Sequence, residues 1–287
     1  MTTTADYPPV TRRAAYDPQR PVPERPAWVF VGLVVVGAVL FAAGFTTWDA
    51  VGRQSVTDQA TFAAVDTVDL RDLGPTSVTL VGSDRADVLL TRTISWRGTD
   101  RPARAERVES GSLVVESPCR ALDGCYADYR LDVPRTVAAR ALLSSGRVEA
   151  RALASVSAHA VSATMTIEDV AGAVTAETSS GSLTVCRVAG EVSLRTTSGD
   201  ISACGLGGSR ATLETTSGTV SAGFTGPVER IDARSTSGSV HVTVPDAAYD
   251  VRTSTRSGGQ RVQVRTDPAA PGKITATTTS GSIRIDS

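Results

Sequence analysis

Three stretches in the C-terminal half of the chain read as variations on one phrase: VSLRTTSGDISA at residues 192–203, ATLETTSGTVSA at residues 211–222 and IDARSTSGSVHV at residues 231–242. In each, a Thr- or Ser-rich run ends in Ser-Gly and gives way to alternating apolar residues. The same corner recurs at Ser180-Gly181, Ser198-Gly199, Ser217-Gly218, Ser237-Gly238, Ser257-Gly258 and Ser280-Gly281, with successive glycines 18, 19, 20, 20 and 23 residues apart. Self-similarity at this period marks an architecture of stacked repeats.

Aligned on the glycines, residues of one parity are apolar and those of the other are mostly Ser, Thr, Arg or Glu. Two positions after Gly stand Leu183, Ile201, Val220, Val240 and Ile283; seven before it stand Val174, Val192, Ala211, Ile231, Val251 and Ile274. This is the period-2 signature of half-buried strands, one on each side of the corner. Gly suits the corner because a sharp bend between strands often needs positive φ. Thr, Val, Ile and Gly dominate and no 3.6-residue period persists, which argues against helix. Two strands and two corners in about 18–20 residues make one coil of a β-solenoid, and coils stacked about 4.8 Å apart bury a narrow core of small aliphatic side chains.

Weaker copies at Ser145-Gly146 and residues 162–167 carry the pattern upstream. The expectation is an all-β chain: a parallel β-solenoid of about eight coils over residues 134–287, each repeat laddered to the next. An antiparallel sandwich or meander could use the same strands but would not require in-register repeats. The fifth repeat places Gln260 where an apolar residue is expected, after Ser257-Gly258-Gly259, which predicts a β-bulge.

Three columns follow from stacking. Thr178, Thr196, Thr215, Ser235, Thr255 and Thr278 all lie three positions before their glycines, on the inward parity. They predict a ladder of hydroxyls bonded to one another or to the corner backbone. Glu177, Arg195, Glu214 and Arg234 lie four before, so opposite charges fall on neighbouring rungs. Cys186 and Cys204 each lie five after, as equivalent sites on adjacent coils. A rung spacing near 4.8 Å is within the Cα separation a disulfide tolerates, about 4.4–6.8 Å. Cys119 and Cys125 enclose a short loop, so the four cysteines predict a local bond and a rung-to-rung staple at the outer edge of the coil, in an oxidising compartment. A metal site is the competing interpretation, but CxxC spacing is missing, and His159 and His241 are far from both pairs in sequence.

The compartment has independent support. Residues 28–48 read WVFVGLVVVGAVLFAAGFTTW, without a charge and with Trp28 and Trp48 at the ends. Twenty-one residues at 1.5 Å each span about 31 Å, matching the hydrocarbon core of a bilayer. Arg12, Arg13, Arg20 and Arg25 precede this span and Arg53 follows among Asp49, Asp58 and Asp66. The positive-inside rule then places the N-terminus in the cytoplasm and the rest outside, as a single-pass protein of the plasma membrane. Cleavage as a signal peptide after the small residues Ala42-Ala43-Gly44 is the alternative; the apolar stretch exceeds a usual signal core of about 7–15 residues.

Residues 1–27 are Pro-rich without apolar periodicity and are expected to be a disordered cytoplasmic tail. Residues 49–60 are expected to be a stalk. Residues 61–133 carry strand-like runs at 65–70, 77–81, 88–96, 112–116 and 129–133 without the strict repeat, which suits an irregular β cap over the open end of the core. A net charge of −1 gives no sign of a nucleic-acid partner.

The segments TTSGDISA, TTSGTVSA and STSGSVHV, with YRLDVP at residues 129–134 leading to Ser145-Gly146, resemble the bacterial family known as "putative adhesins", a domain of unknown function built from Ser-Gly strand repeats. The resemblance covers roughly residues 61–287. It implies an extracytoplasmic β-solenoid, often in membrane-anchored proteins, with some relatives linked to cell-envelope stress signalling, and it carries over no catalytic residues.

No Gly-x-Ser-x-Gly elbow, phosphate-cradling Gly loop or zinc motif is present. His159 and His241, and the carboxylates Asp200, Asp232, Asp246 and Asp250, show no clustering that would mark a catalytic or cofactor site. Thr arrays on a solenoid raise ice binding, but outward Thr-x-Thr pairs do not recur from coil to coil. The expected function is therefore non-enzymatic: an envelope-anchored, adhesin-like module whose flat face engages an envelope polymer or a surface or membrane protein. The alternative is an accessory component of envelope-stress sensing that acts through a membrane partner.

Overall fold

The computed structural model describes residues 53–119 and 124–287. The expected tail and membrane span, residues 1–48, lie outside the described residues; within them, no helix is long and apolar enough to cross a membrane. Every regular element described is a β-strand.

Strands before the Ser-Gly corner form one parallel ladder, and strands after it form a second. In the first, Ser155–Val170 pairs with Val174–Ser180, followed by Val192–Ser198, Arg210–Ser217 and Arg230–Ser237. In the second, Ser155–Val170 pairs with Leu183–Val188, followed by Ile201–Leu206, Val220–Phe224 and Val240–Thr243. Val185, Ala203, Ala222 and Val242 stack in one buried row. Between residues 138 and 286 the described strands make eight such coils, and the architecture is solenoid-like. The apolar parity of both ladders is buried, in rows of Val, Ile, Leu and Ala.

The corner glycines are required twice over. Gly199 has φ 152°, and a Cβ there would overlap the carbonyl oxygen of Gly181 on the preceding coil. A second glycine column, Gly172, Gly190 and Gly208, lines the opposite corner, where a Cβ would again meet the coil before. The inward hydroxyls complete the first corner. Thr196, Thr215 and Ser235 donate to the carbonyls of Gly181, Gly199 and Gly218 at 3.2, 3.1 and 2.9 Å. Of the two expected arrangements, bonding to the corner backbone is the one formed.

The ladder does not link each repeat to the next throughout. Arg230–Ser237 pairs with Lys273–Ser280, placing Ile231 beside Ile274, and Ala248–Ser257 pairs on the far side of the same strand, placing Val251 beside Ile274. The second ladder agrees: Val240 and Gln260 both partner Ile283. The last coil in sequence is thus inserted between its two predecessors. Polarity explains the order. Ile274, Ala276, Ile283 and Ile285 are buried on the inward parity, whereas Thr253 and Gln260 occupy the same parity in the 248–262 coil and bond to each other at 2.6 Å. An inserted coil has neighbours on both sides, and a terminal coil has one open side where polar groups meet water. The bulge expected at Gln260 is corrected accordingly: register runs without a shift from Gln260 to Val262.

The N-terminal end shows the same exchange of order. Thr67–Ser83 pairs with Ala138–Arg151 on one side and with Ser112–Glu116 and Tyr126–Pro134 on the other. Residues 67–83 therefore form a coil of the stack, with a register shift between Leu70 and Leu73, inside the region expected to be an irregular cap. Beyond them the sheet turns antiparallel: Val88–Arg97 lies against Tyr126–Pro134, Arg53–Phe62 against Val88–Arg97, and Glu106–Glu109 against Ser112–Glu116. The stalk expected at residues 49–60 is corrected over residues 53–60, which belong to a paired strand, while residues 49–52 lie outside the described residues.

The antiparallel strands close the core with an ion cluster. Arg92 is 1% exposed, between Leu90 and Ile94 on the inward face, and its guanidinium meets Asp58 and Glu106, each at 3.0 Å. Arg101 also bonds Asp58. Hydrogen bonds from Arg101 and Arg92 hold the Asp58 carboxyl below the usual carboxylate range. Burial, and then the charge of Glu106, push the nearby Tyr129 phenol up.

Candidate binding surfaces

The outward side of the first ladder is a lattice of charge. Glu177, Arg195, Glu214 and Arg234 occupy successive rungs, and His159 extends the column by one. Glu214 takes Arg195 at 2.6 Å and Arg234 at 3.1 Å, and His159 Nδ1 lies 3.3 Å from Glu177. Partly exposed pairs of this kind stabilise by about 0.2–1 kcal/mol each, so their main effect is on register.

The outward side of the second ladder is different. Thr166, Thr184, Ser202 and Ser221 stand on four successive rungs with no charge between them. Their hydroxyls have no hydrogen-bond partner among the described residues. Toward the C-terminal end the row continues with His241, Arg284 and Arg261 on adjacent rungs. Asp286 accepts from His241 at 3.1 Å and from Arg284 at 2.6 Å. Burial raises the Asp286 pKa, but the bonds from Arg284, His241 and Thr243 outweigh it and hold the carboxyl below its ordinary value.

Both cysteine pairs are bonded. Cys186 and Cys204 join adjacent rungs with Cα atoms 4.5 Å apart, and Cys119 joins Cys125 at 5.3 Å. The accessible position expected for both repeat cysteines is corrected for one of them: Cys204 is exposed, but Cys186 is 7% exposed. The Arg187 guanidinium beside Cys186 is engaged with Asp169 at 2.5 Å and Glu168 at 3.1 Å.

The remaining polar candidates are dispersed. Asp200 accepts from the Thr219 amide at 2.7 Å, Asp232 pairs with Arg230 at 2.7 Å, Asp246 with Arg265 at 3.4 Å and Asp250 with Arg252 at 3.2 Å. The carboxylates are thus engaged in separate local pairs. Ser157 Oγ lies 3.5 Å from His159 Nε2, so Ser157, His159 and Glu177 form a chain in the order a nucleophilic relay would use. Ser157 sits mid-strand with partners on both sides, Arg140 and Thr175. In a strand paired on both sides the main-chain N–H groups are committed to the ladders, so no backbone oxyanion hole opens beside Ser157.

An open hollow of about 430 Å³ adjoins His159 and is lined by Leu142, Leu143, Ala160, Val161, Ser144 and Asp72. Leu142 and Val161 are exposed at outward positions where later coils carry Glu177 and Ser179. The Ser-Gly alignment omitted these two because their coils carry weaker copies of the corner. Period-2 counting would have flagged them as apolar residues on the polar parity.

The two ladders and their patterned faces define a stacked parallel β-domain that presents extended arrays instead of one deep cleft. The chain belongs to the Toastrack DUF4097 family, whose model matches residues 132–287. Similar solved structures include a "putative adhesin" from Bacteroides fragilis NCTC 9343, 12% identical, covering 81% of this chain and 97% of that one with a TM-score of 0.43. Another "putative adhesin", from Parabacteroides distasonis ATCC 8503, is 12% identical and covers 80% of this chain and 97% of that one, with a TM-score of 0.38. None of the curated proteins matches the chain.

Proposed function

We propose that this chain is a non-enzymatic, adhesin-like interaction protein of the cell envelope, held by a single-pass anchor at residues 28–48 with its β-domain outside the cell. The observation that carries the binding role is the uncharged row Thr166, Thr184, Ser202 and Ser221, four hydroxyls one rung apart with no hydrogen-bond partner among the described residues. Hydroxyls in such an array suit a polyhydroxylated envelope polymer, which can exchange donors and acceptors along the row. The charged face of the first ladder suits this role less well, because its main column is engaged in internal ion pairs. The two disulfides support an oxidising location, and the uncharged 21-residue stretch at residues 28–48 supports the anchor.

The test is binding of full-length protein to isolated cell-wall polymer. The double substitution Thr184→Lys, Ser202→Lys should abolish retention, whereas Glu214→Gln should leave it intact. Equal retention of all three proteins would refute the assignment of the face. Protease added to intact cells should remove the β-domain while sparing an epitope on residues 1–27; a soluble product beginning near residue 45 would refute the anchor.

A further inference from the structure

We propose that the slot filled by residues 273–286 is also an assembly site, taken up by the same segment of a second copy of the chain. The slot lies between the 230–243 coil and the 248–262 coil. Its occupant pairs on both sides in both ladders: Ile274 lies between Ile231 and Val251, and Ile283 between Val240 and Gln260. No ladder bonds join the 230–243 and 248–262 coils directly, so residues 273–286 are the bridge between them. The 248–262 segment precedes residues 273–286 in the chain. Until the bridge arrives, the 230–243 coil presents an open apolar edge, with Ile231 and Val240 lacking their outer neighbours.

The slot is selective. It requires inward Ile274, Ala276, Ile283 and Ile285, the Thr278 hydroxyl donating to the Gly238 carbonyl at 2.8 Å, and a corner glycine at φ 153° in Gly281. The neighbouring repeat does not meet these requirements, since Gln260 falls at an apolar position. A second copy supplies the matching segment in full. Exchange would preserve every rung contact of residues 273–286, so the two arrangements differ mainly in the connection and in the entropy of association. The connection, residues 263–272, contains Pro268 and Pro271 and is mostly exposed. Ten residues reach about 33 Å when extended, against a rung spacing of about 4.8 Å. Local bonds favour the intramolecular path: the Asp267 amide donates to Tyr249 O at 2.9 Å, and the Asp250 amide to Gly272 O at 2.8 Å. Exchange therefore belongs to chains folding close together, before that path has closed.

The test uses two full-length variants with different tags produced in the same cells, one Ser239→Cys and the other Ser282→Cys. These hydroxyl oxygens are 3.1 Å apart, and the two residues lie on adjacent rungs, as Cys186 and Cys204 do. The expected product is a disulfide-linked dimer carrying both tags, with peptide mapping locating the bond between positions 239 and 282. The control is a single chain carrying both substitutions, which should close the bond internally. Closure in the control with only monomers in the mixture would overturn the exchange. Failure of the control would overturn the insertion on which it depends, and a dimer linked through any other positions would also count against it.

Discussion

The two ends of the stack solve one problem in opposite ways. A parallel solenoid exposes apolar side chains and unpaired strand edges at each end, and both must be dealt with. At the N-terminal end the chain builds a wall: three antiparallel strands continue the ladders, and Arg92 meets Asp58 and Glu106 where the apolar core stops. At the C-terminal end the described residues add only the two-residue strand Arg265–Thr266, beside Ala248 and Tyr249. The last rung is an ordinary coil made polar, with Thr253 and Gln260 on the inward parity and Gln260, Arg261 and Val262 exposed. Closure at the first end rests on buried charge that must remain paired, and at the second on a sequence that tolerates water. In both cases an apolar coil is threaded inward past its chain neighbour, so the better core former is covered on two sides.

Deleting residues 273–287 should break the C-terminal solution most severely. Burial of Ile274, Ile283 and Ile285 would be lost, at about 1.5–3 kcal/mol each. Hydrogen exchange should show the 230–243 and 248–262 coils losing protection while residues 67–224 retain it, because coils interact only with their neighbours. Uniform loss along the chain would contradict this.

The N-terminal solution is tested by Arg92→Ala. Removing the guanidinium leaves Glu106, whose side chain is 6% exposed, without its partner, at a cost of about 3–5 kcal/mol. The matching change in the exposed column, Arg234→Ala, should cost about 1 kcal/mol or less. Urea denaturation of the two variants should therefore separate them clearly, and equal midpoints would show that the cluster is not what closes the end.

Corner glycines give a finer comparison between the middle of the stack and its C-terminal end. Gly199→Ala places a methyl against the Gly181 carbonyl and should cost about 1–3 kcal/mol. Gly259→Ala, with no atom within 4 Å of its Cβ, should fall within about 0.5 kcal/mol of the parent protein in the same denaturation series.

Acid should act on both ends with the smallest effect. Asp58 and Asp286 both have folded pKa values below the unfolded value near 3.9. Each carboxylate therefore adds stability that is fully present above about pH 4 and is lost as pH falls through its folded pKa. Exchange rates measured downward from about pH 5 should rise at residues 53–62 and at residues 240–243 and 283–286 as this range is crossed. Replacing Asp58 or Asp286 by Asn should flatten the response at that end alone.

Much of the middle was legible in the sequence. Period-2 alternation set which side of each strand is buried, and the Ser-Gly corners set the register, so the Val185 row, the Glu177 column and the Cys186–Cys204 staple could be placed before any coordinates. Stacking order was not legible, because every repeat matches every other in register and pattern alone does not name a neighbour. The one clue was Gln260 at an apolar position; it signals a terminal coil and not a bulge. The 67–83 coil is hidden in the sequence because its corner, Gly74-Pro75-Thr76, carries no Ser-Gly. The relay-like chain Ser157, His159 and Glu177 also needed coordinates, since Glu177 comes from a neighbouring strand.

Disulfide trapping within single chains tests the inserted order most directly. Position 239 should bond with position 282 in the variant Ser239→Cys, Ser282→Cys, because these residues lie on adjacent rungs with hydroxyls 3.1 Å apart. It should not bond with position 259 in Ser239→Cys, Gly259→Cys, because insertion separates them by two rungs, about 9.6 Å, beyond the roughly 7 Å limit for a disulfide. Ready closure of the 239–259 bond and failure of the 239–282 bond would show that the coils stack in chain order and would contradict the account.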